Sequence, residues 1–461
     1  MRFVANLRNE TIEAFATESI QPRAYLLSSH RLTPATLKAA EKIRALGLPL
    51  FADNGTKPMI DATIDHFAEP AKRLRTEVKQ LRKALGHVPR GAGVPAVLRD
   101  RASRLAQAVL DHTLETSEAI DAEALLTTQL SMLPTDLIAQ EDFATACLIA
   151  LDLERETTGW RVSRFDTRNR RTLRLWKRVA NDTRCKGIRV HAVLSAMDYN
   201  TARSAGRLAA RAGVRHAAVG IAGITRDPSA TDFFVMETKS IRLARPVPRR
   251  YVRLAQIIRG FAEGFGEAGR PPESFHCLGL GAPYLFPVTA AALAEATRAT
   301  TDATSPIHAA VRDRVLYDPV KDGDRASTKE IVDRIVRGGD WPFLSPFTRA
   351  FREKFGHDPE AARKAWAALG KPAITRQLLE VASPLTASLP LFADADDEVR
   401  KIAARAWIAH NHWVLGAIAD SLPNEKGRRD LALSVIDRLL SNPPTMTTRG
   451  LAAAREVILS D

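Results

Sequence analysis

The sequence contains few cysteines and no motif for a bound metal or nucleotide cofactor. Only three of its 461 residues are cysteines, Cys147, Cys185 and Cys277, and none lies within metal-ligand spacing of another. This spacing excludes a disulfide framework and a CxxC zinc site, so we expect no metal ion. A GxGxxG fingerprint followed by an acidic residue is also missing, and we expect no cofactor.

Long hydrophobic segments are missing as well. No stretch approaches the ~18 uninterrupted apolar residues of a membrane span. The segment Met1–Glu10 is polar and has no apolar core of the kind found in signal peptides. We therefore expect a soluble, cytoplasmic protein that does not bind a membrane.

Acidic residues are outnumbered by basic ones. The chain has 67 Lys and Arg against 53 Asp and Glu, a formal net charge of +14 and a sequence pI of about 9.9. Such a balance favours a polyanionic partner, and nucleic acid is the leading candidate. A basic composition without such a partner is the alternative that these numbers leave open.

Short apolar runs alternate with helical periodicity up to about residue 310, which is the pattern of parallel βαβ units. In the clearest copy, strand Ile188–Leu194 precedes a helix that Asn200 is suited to cap and Gly213 to end, and strand His216–Gly220 follows. The other predicted strands are Ala24–Ser28, Leu48–Ala52, Leu137–Gln140, Phe275–Leu278 and Ala299–Thr301. This number of strands favours an α/β fold of the (β/α)8 TIM-barrel type, with an open doubly wound sheet as the alternative.

A helical insertion, from Asp61 to about Thr135, follows the second predicted strand. One of its helices combines an apolar stripe with a strongly basic face, and two other basic clusters occur at Arg168–Arg178 and Arg242–Arg253. The cations that we predict to bind nucleic-acid phosphates are Lys72, Arg75, Lys79, Arg82, Arg171 and Arg174. A solvated helix face is the alternative interpretation.

From about Trp341 onward the pattern is helical only. The predicted helices are Pro346–Phe355, Pro359–Leu369, Ile374–Ala382, Glu398–His410, Arg428–Leu440 and Thr448–Leu459. We therefore divide the chain into a TIM-barrel domain, residues 1–335, and a helical C-terminal domain, residues 336–461. We expect the second domain to cap the barrel or to dock a partner protein.

Three carboxylates follow predicted strands. Asp53 ends the strand in FADNG, Asp142 follows the strand in LPTDLIAQEDFA, and Asp302 ends the last strand in TTDATS. Because the active site of a TIM barrel forms at the carboxyl ends of its strands, we expect the three side chains to surround one cavity. Asp-Asn-Gly is also common turn chemistry, which is the alternative for Asp53.

Glycines follow two further predicted strands. Gly220 and Gly223 lie in AAVGIAG, and Gly279 follows Leu278 in FHCLGLGAP. Glycine lets a flat ligand approach the backbone, so we predict that these residues contact a base. Tight turns between strand and helix are the alternative.

A series of motifs between Leu48 and Ser305 resembles the tRNA-guanine transglycosylase superfamily, and the motifs occur in the same order. FADNG resembles the family's DSGGFQ, DLIAQEDFA its DIVMAFDEC, and RNRRTLRLWKRV its RTLRWAKRC. HAVLSAM and AAVGIAG are similar to IVQGG and AIGGL, while FHCLGLGAPYLFPV and TTDATS are similar to LLGAGHPMMLPL and LFDSAS. The resemblance implies base exchange with Asp302 as nucleophile, Asp53 as general acid/base, and Asp142 as the residue that hydrogen-bonds the guanine edge.

The sequence departs from the tRNA-modifying enzymes of this superfamily. Their CxCxxC and histidine zinc site is missing, no PUA-like RNA-binding domain follows Ser305, and Ala144 replaces a pocket cysteine. The superfamily also contains enzymes that insert 7-deazaguanines into DNA, and FADNG with LGLGAP is more similar to that branch. We therefore expect a 7-deazaguanine such as preQ0 to replace guanine in DNA, with tRNA as the alternative substrate.

Two other classes of function remain open. A noncatalytic nucleic-acid-binding relative of the same fold would be expected to lose the nucleophile, whereas Asp302 is present. A small-molecule barrel enzyme, such as an aldolase, should have a phosphate-binding glycine loop after the seventh or eighth strand or a buried lysine, and neither is evident in the sequence.

Overall fold

The computed structural model describes residues 1–17, 20–86, 94–153, 162–227, 229–294, 298–313, 315–318, 324–327, 397–422, 429–441 and 445–460. Eight parallel strands form a closed barrel. In barrel order they are β1 (Arg2–Asn6), β2 (Tyr25–Ser28), β3 (Leu50–Asp53), β4 (Asp136–Ile138), β5 (Arg189–Leu194), β6 (His216–Gly220), β9 (Ser274–Leu278) and β10 (Arg298–Ala303), and β10 pairs with β1. The predicted TIM barrel is confirmed.

Helices connect and surround these strands. In chain order they are α1 (Asn9–Thr17), α2 (Pro34–Ala45), α3 (Thr56–Leu85), α4 (Ala96–Glu118), α5 (Ala122–Leu130), α6 (Ala144–Ala150), α7 (Val162–Ala180), α8 (Tyr199–Arg211), α9 (Ala222–Thr225), α10 (Arg249–Glu267), α11 (Phe286–Ala292) and α12 (Ser305–Val311). The helix predicted after Leu194 is α8, and Gly213 follows its end with a φ of +85°. Its N-cap is Asp198, which accepts from the Thr201 amide, rather than Asn200 as predicted.

Strand β1 is the barrel strand that sequence periodicity does not predict. Only its central residues, Phe3 to Ala5, are apolar, so the run is too short to be distinguished from a polar terminus. Because β1 comes first, the helical insertion follows β3, which corresponds to the strand predicted as the second, Leu48–Ala52.

The insertion is a helical hairpin, α3 and α4, followed by α5. Helix α3 begins directly after β3, and the Ser117 carbonyl near the end of α4 accepts from Gln140 Nε2, 3.0 Å away, just beyond β4. Helix α5 fills the barrel position between β3 and β4, because Gln129 Nε2 donates to the carbonyls of Ala52 and Ile138. The hairpin therefore leaves the barrel at its carboxyl-terminal rim and returns to the same rim.

The hairpin has a hydrophobic core of its own. Phe67, Ala71 and Leu74 of α3 pack against α4 and against α6, where Cys147 and Leu148 are buried. Burial of these apolar side chains holds the two long helices together away from the barrel wall. The residues outside this core form the basic face that the sequence predicts.

An antiparallel strand pair not predicted from the sequence lies between β6 and α10. It consists of β7 (Ala230–Met236) and β8 (Lys239–Pro248). Phe234 and Met236 of β7 are buried, while β8 is largely exposed. Gln256 Nε2 of α10 donates to the Val235 carbonyl, 2.7 Å away, and joins the pair to the barrel helices.

After the barrel come the short pair β11 (Val315–Asp318) and β12 (Asp324–Ser327), and then α13 (Asp397–Ser421), α14 (Arg429–Leu440) and α15 (Met446–Leu459). These three helices match the last three predicted ones and confirm the helical C-terminal region. The predicted helices Pro346–Phe355, Pro359–Leu369 and Ile374–Ala382, and the predicted domain boundary between residues 335 and 336, lie outside the described residues.

Helix α13 occupies the position of the eighth barrel helix. The ring of His412 lies 6.0 Å from that of Phe3 on β1 and 5.1 Å from that of Phe15 on α1. Asn411 Nδ2 donates to the Pro306 carbonyl of α12, 3.2 Å away. The C-terminal helices therefore share the main hydrophobic core with the barrel.

Candidate active site

Asp302 lies at the carboxyl-terminal mouth of the barrel with only 7% of its surface exposed. Asn6 Nδ2, at the end of β1, donates to Oδ2 at 3.1 Å, and the Gly279 amide donates to Oδ1 at 3.0 Å. Gly279 has a φ of +81°, a conformation that favours glycine and aims its N–H at the carboxylate. Two donors thus hold the carboxyl group of Asp302 in one orientation.

A buried histidine lies beneath Asp302. His276 Nε2 is 3.3 Å from Asp302 Oδ1, while Nδ1 contacts Thr300 Oγ1 at 2.8 Å. The ring stacks on Phe51 with centroids 5.0 Å apart. These contacts fill the barrel below Asp302.

Asp53 ends β3 and takes part in a chain of hydrogen bonds. Ser28 Oγ, at the end of β2, donates to Asp53 Oδ2 at 2.5 Å, and the Gly55 amide lies 3.3 Å from the same oxygen. His30 Nδ1 is 2.9 Å from Ser28 Oγ. Because the serine proton is given to Asp53, His30 must donate to Ser28.

The environment of Asp53 favours its protonated form. Burial raises the pKa of Asp53, and the negative charge of Asp302 raises it further, although the Ser28 hydrogen bond opposes both. The two carboxyl groups therefore interact across the mouth. His30 is neutral at pH 7, because burial and the charges of Arg31, Arg8 and Lys57 lower its pKa to about 4.

A third acidic side chain, Glu141, lies at the same mouth and was missed by the sequence interpretation. Burial, followed by the charges of Asp53 and Asp142, raises the pKa of Glu141 to about 8. Its position in QED directly after β4 was the available signal. A Cβ at Gly220 would lie 3.1 Å from Glu141 Oε2, so glycine leaves room for this carboxyl group.

Glu141, Asp142 and Gly220 line a narrow cavity at the carboxyl ends of β4, β5 and β6. Asp142 is already paired, because Arg168 Nη1 donates to Oδ1 and Oδ2 at 2.7 and 2.8 Å. The Ala144 amide also donates to Oδ1 at 3.1 Å and fixes the start of α6. The carboxylate predicted to bind the guanine edge therefore faces α7 in this structure.

Gly223 and Leu278, which were also predicted to contact the base, pack against other parts of the protein. Gly223 packs against α6, where a Cβ would lie 2.3 Å from the Ala146 carbonyl oxygen. Close approach of α9 and α6 explains this glycine without a ligand. Leu278 ends β9 and packs at the edge of the cluster inside the barrel, next to Gly279.

The predicted phosphate contacts form two separate surfaces. Lys72 and Lys79 are exposed on the hairpin, and Arg75 is half-buried on the same helix. Arg82 belongs to this helix, but its side chain lies outside the described part of the chain. On α7, Arg174 is exposed and Arg171 Nη2 lies 3.4 Å from Glu118 Oε1.

The third basic cluster, Arg242–Arg253, is partly buried. Arg249 and Arg253 are 8% and 4% exposed, and Arg253 Nε pairs with buried Asp227 at 3.2 Å. These arginines serve the fold, so this end of the cluster does not extend the phosphate-binding surface as the sequence interpretation proposed.

The three cysteines are buried and unpaired. In the described part of the chain, no group of three His, Cys, Asp or Glu side chains could hold a metal ion. None of the described helices combines the length and hydrophobicity needed to cross a bilayer.

Neither the comparison with protein-family models nor the comparison with curated proteins gives a match to this chain. The function is therefore inferred from the chemistry of the mouth. It contains an oriented carboxylate, Asp302, beside a carboxyl group that is protonated more readily than usual, Asp53. That combination suits a nucleophile and a general acid/base.

Proposed function

We propose that the protein is a pentosyltransferase that replaces guanine in nucleic acid with a 7-deazaguanine. The observation that carries the proposal is the opposite environment of two carboxyl groups at one mouth. Asp302 accepts from two donors, and Asp53 has a raised pKa. Nucleophilic displacement at a sugar carbon needs one ionised carboxylate and one proton donor.

The first half-reaction removes guanine. Asp302 attacks C1′ of the nucleoside and forms an ester bond, while the C1′–N9 bond breaks and its electron pair stays on N9. Asp53 donates its proton to the leaving base, because guanine is a poor leaving group as an anion. The products are free guanine, an ionised Asp53 and a glycosyl-aspartate.

The second half-reaction reverses these steps with a different base. Asp53 removes the N9 proton of the 7-deazaguanine, whose N9 attacks C1′ and releases Asp302 as a carboxylate. Two inversions at C1′ give net retention, and the protein returns to its starting state. No external reductant or cofactor is needed for this balance.

Base selection is assigned to Asp142, in the loop after β4. A carboxylate oxygen has two lone pairs, so Asp142 can accept from Arg168 and also from the N1–H or exocyclic amine of guanine. Adenine lacks this donor pattern and would leave a carboxylate unpaired.

DNA is the favoured substrate over tRNA, with preQ0 as an example of the incoming base. The net charge of +14 and the exposed cations of the hairpin support a nucleic-acid substrate. The target nucleotide must leave its stack to reach a barrel mouth. We also propose that the protein acts in the cytoplasm, with the C-terminal helices as a candidate docking surface for a partner protein.

The experiment that tests this proposal follows labelled guanine released from DNA and, in parallel, from tRNA in the presence of preQ0. We expect release from DNA by the wild-type protein and loss of at least ~10³-fold in Asp302→Asn, because the amide cannot act as the nucleophile. Binding of DNA should be nearly unchanged. Asp430→Asn, an exposed carboxylate on α14, is the matched control.

Three outcomes would contradict the proposal or part of it. Binding without any release would indicate a noncatalytic relative. Full release by Asp302→Asn would overturn the mechanism. Release from tRNA alone would overturn the preference for DNA.

A further inference from the structure

Four cations lie around one side of the barrel mouth. Arg8 follows β1, Arg31 follows β2, Lys57 lies in the first turn of α3 after β3, and Arg312 follows α12 after β10. The four strands are consecutive in the barrel, in the order β10, β1, β2, β3. We call these four residues the cationic crescent.

Hydrogen bonds fix the loops of the crescent to one another. Thr33 Oγ1, after β2, donates to Asn9 Oδ1, after β1, at 3.0 Å. The loops after β2 and β3 are joined through Ser28 and Asp53, and a Cβ at Gly55 would lie 2.4 Å from Ser29 Oγ. Because these loops pack so closely, the backbone positions that carry the cations are fixed relative to one another.

The charges of the crescent are only partly balanced. Lys57 pairs with Asp61, which Arg226 also contacts at 2.6 Å, and Arg312 pairs with Asp313 at 2.8 Å. Arg8 and Arg31 form no ion pair with any residue that the structure describes. Two neighbouring guanidinium groups without a carboxylate partner repel each other unless an anion lies between them.

The cations of the crescent lie near two histidines of the same rim, His30 after β2 and His308 on α12. Arg31, Arg8 and Lys57 add to burial in lowering the pKa of His30, and Arg8, Arg312 and Lys57 add to burial in lowering that of His308. The pKa of Arg8 itself is lowered by burial and by Arg31. The side chains thus form one positive region in which an anion would be stabilised.

We propose that the cationic crescent binds a phosphodiester next to the exchanged nucleoside, with Arg8 and Arg31 as the principal contacts. The proposal rests on the proposed function, because it places the sugar of the target nucleotide at Asp302. The same four strands supply Asn6, Ser28, Asp53 and Asp302. A nucleotide with its C1′ at Asp302 therefore has its own phosphates at the rim.

The hairpin cations are too far away for this role. Lys72 and Lys79 lie 16 and 23 residues along α3 from Thr56, which corresponds to roughly 24 and 35 Å at about 1.5 Å per residue. They can reach only phosphates several nucleotides away. Arginine is also the better group for this contact, because its planar fork binds a phosphate with two hydrogen bonds.

The test measures binding of a fluorescent single-stranded oligodeoxynucleotide with one guanine, at a series of salt concentrations. Arg8→Gln and Arg31→Gln should each weaken binding about fivefold and reduce the salt slope by about 0.7. Arg44→Gln is the matched control, since Arg44 is exposed at the end of α2, at the end of the barrel opposite the mouth. Arg31 is exposed, so its variant decides the test if Arg8→Gln folds poorly.

A second arm locates the phosphate. Replacing the phosphodiesters that flank the guanosine by neutral methylphosphonates should weaken wild-type binding, and the loss should be smaller in Arg31→Gln. An equal loss in both proteins would overturn the proposal. Tight competition by free dGMP that Arg31→Gln abolishes would also overturn it, because the site would then take a phosphate monoester rather than a strand.

The results separate this proposal from the proposed function. If guanine is released by the wild-type protein and both arginine variants bind like Arg44→Gln, the proposed phosphodiester contact is wrong and the proposed function stands. If the variants lose binding as expected but no guanine is ever released, the crescent binds phosphodiesters and the proposed base exchange is wrong. A wild-type protein that does not bind the oligonucleotide contradicts the crescent directly.

Discussion

Two acidic side chains at the mouth, Asp53 and Glu141, both have a raised pKa, and the causes are the same for both. Burial raises the pKa of both Asp53 and Glu141, and neighbouring negative charge raises both further. A carboxyl group with a raised pKa binds protons more tightly in the folded state than in the unfolded state. Stability is therefore present at low pH and is lost as pH rises from the ordinary glutamate value of 4.5 toward about 8 for Glu141.

This loss of stability with rising pH gives a prediction for Glu141→Gln. The amide has the same shape and no charge, so it removes the cost of ionising a buried group. Above pH 8 the variant should be more stable than the wild type, by about 2 °C or more in Tm, and the difference should vanish near pH 4.5. Differential scanning calorimetry from pH 4.5 to pH 9 measures the difference.

Glu115→Gln on the exposed surface of α4 is the control and should show no such dependence on pH. A Tm of Glu141→Gln that falls below the wild-type value as pH rises would contradict the prediction. It would mean that the ionised carboxylate is stabilised by the fold.

The sequence could predict which strand ends carry carboxylates, but not where each side chain points. Asp53 and Asp302 lie at strand ends as expected, and their charges interact. Asp142 pairs with Arg168, which is 26 residues away in the chain and approaches only through tertiary packing. No local pattern distinguishes Asp142 from Glu141 in the loop after β4. The sequence therefore did not predict that Glu141 lies at the mouth.

At the scale of elements, the α3–α4 hairpin is the largest addition to the barrel. Both of its ends lie at the mouth, and its outer half carries Lys72 and Lys79 on an exposed face. A basic arm next to an active site can hold a long polyanion by its phosphates without reading its bases. It should therefore contribute affinity rather than chemistry.

Reversing the charge of Arg75, Lys79 and Arg82 together tests this role. Changing these three residues to Glu should weaken binding of DNA by at least tenfold at low salt and flatten its salt dependence, because up to about three phosphate contacts are lost. The rate of guanine release at saturating DNA should stay near the wild-type value. Fluorescence anisotropy and single-turnover release measure the two quantities.

The matched control changes Lys38, Lys42 and Arg44 on the exposed face of α2 to Glu. This triple variant has the same net charge as the hairpin variant but alters a different surface. Equal losses of affinity in the two variants would show that only total charge matters. A collapse of the release rate at saturation in the hairpin variant would show that the arm also positions the reacting nucleotide.

Strands were predictable where buried runs are long and bounded by turns, and less so elsewhere. The run His216–Gly220 is predicted with its observed ends, because its apolar residues Ala217–Val219 follow the polar pair Arg215 and His216 and end at a glycine. Strand β8, in contrast, has mostly exposed residues, and its alternation of Ile241, Leu243 and Val247 is interrupted by Arg245. Its pairing with β7 depends on contacts that no local pattern encodes.

For the whole molecule, the helical C-terminal region was predictable as helices but not as part of the barrel. Asn411 is buried and joins α13 to β11 and α12, since it accepts from the Tyr317 amide at 2.9 Å and donates to Pro306. Val414 and Leu415 are fully buried in the main core. The periodicity of α13 indicates an amphipathic helix, but only tertiary structure shows that it closes the ring of barrel helices.

The central claim for the whole molecule is that this closed barrel forms a covalent bond between Asp302 and a nucleoside sugar. The protein is incubated with DNA that contains guanine, without an incoming base, then quenched in acid, treated with nuclease and digested with trypsin. Cleavage after Arg298 and Arg312 gives a peptide, ATTDATSPIHAAVR, in which Asp302 is the only acidic side chain. Mass spectrometry of this peptide therefore locates the adduct without ambiguity. We predict a deoxyribose-containing adduct on this peptide in the wild-type protein and none in Asp302→Asn; an adduct on a different peptide, or guanine exchange with this peptide unmodified, would contradict the account.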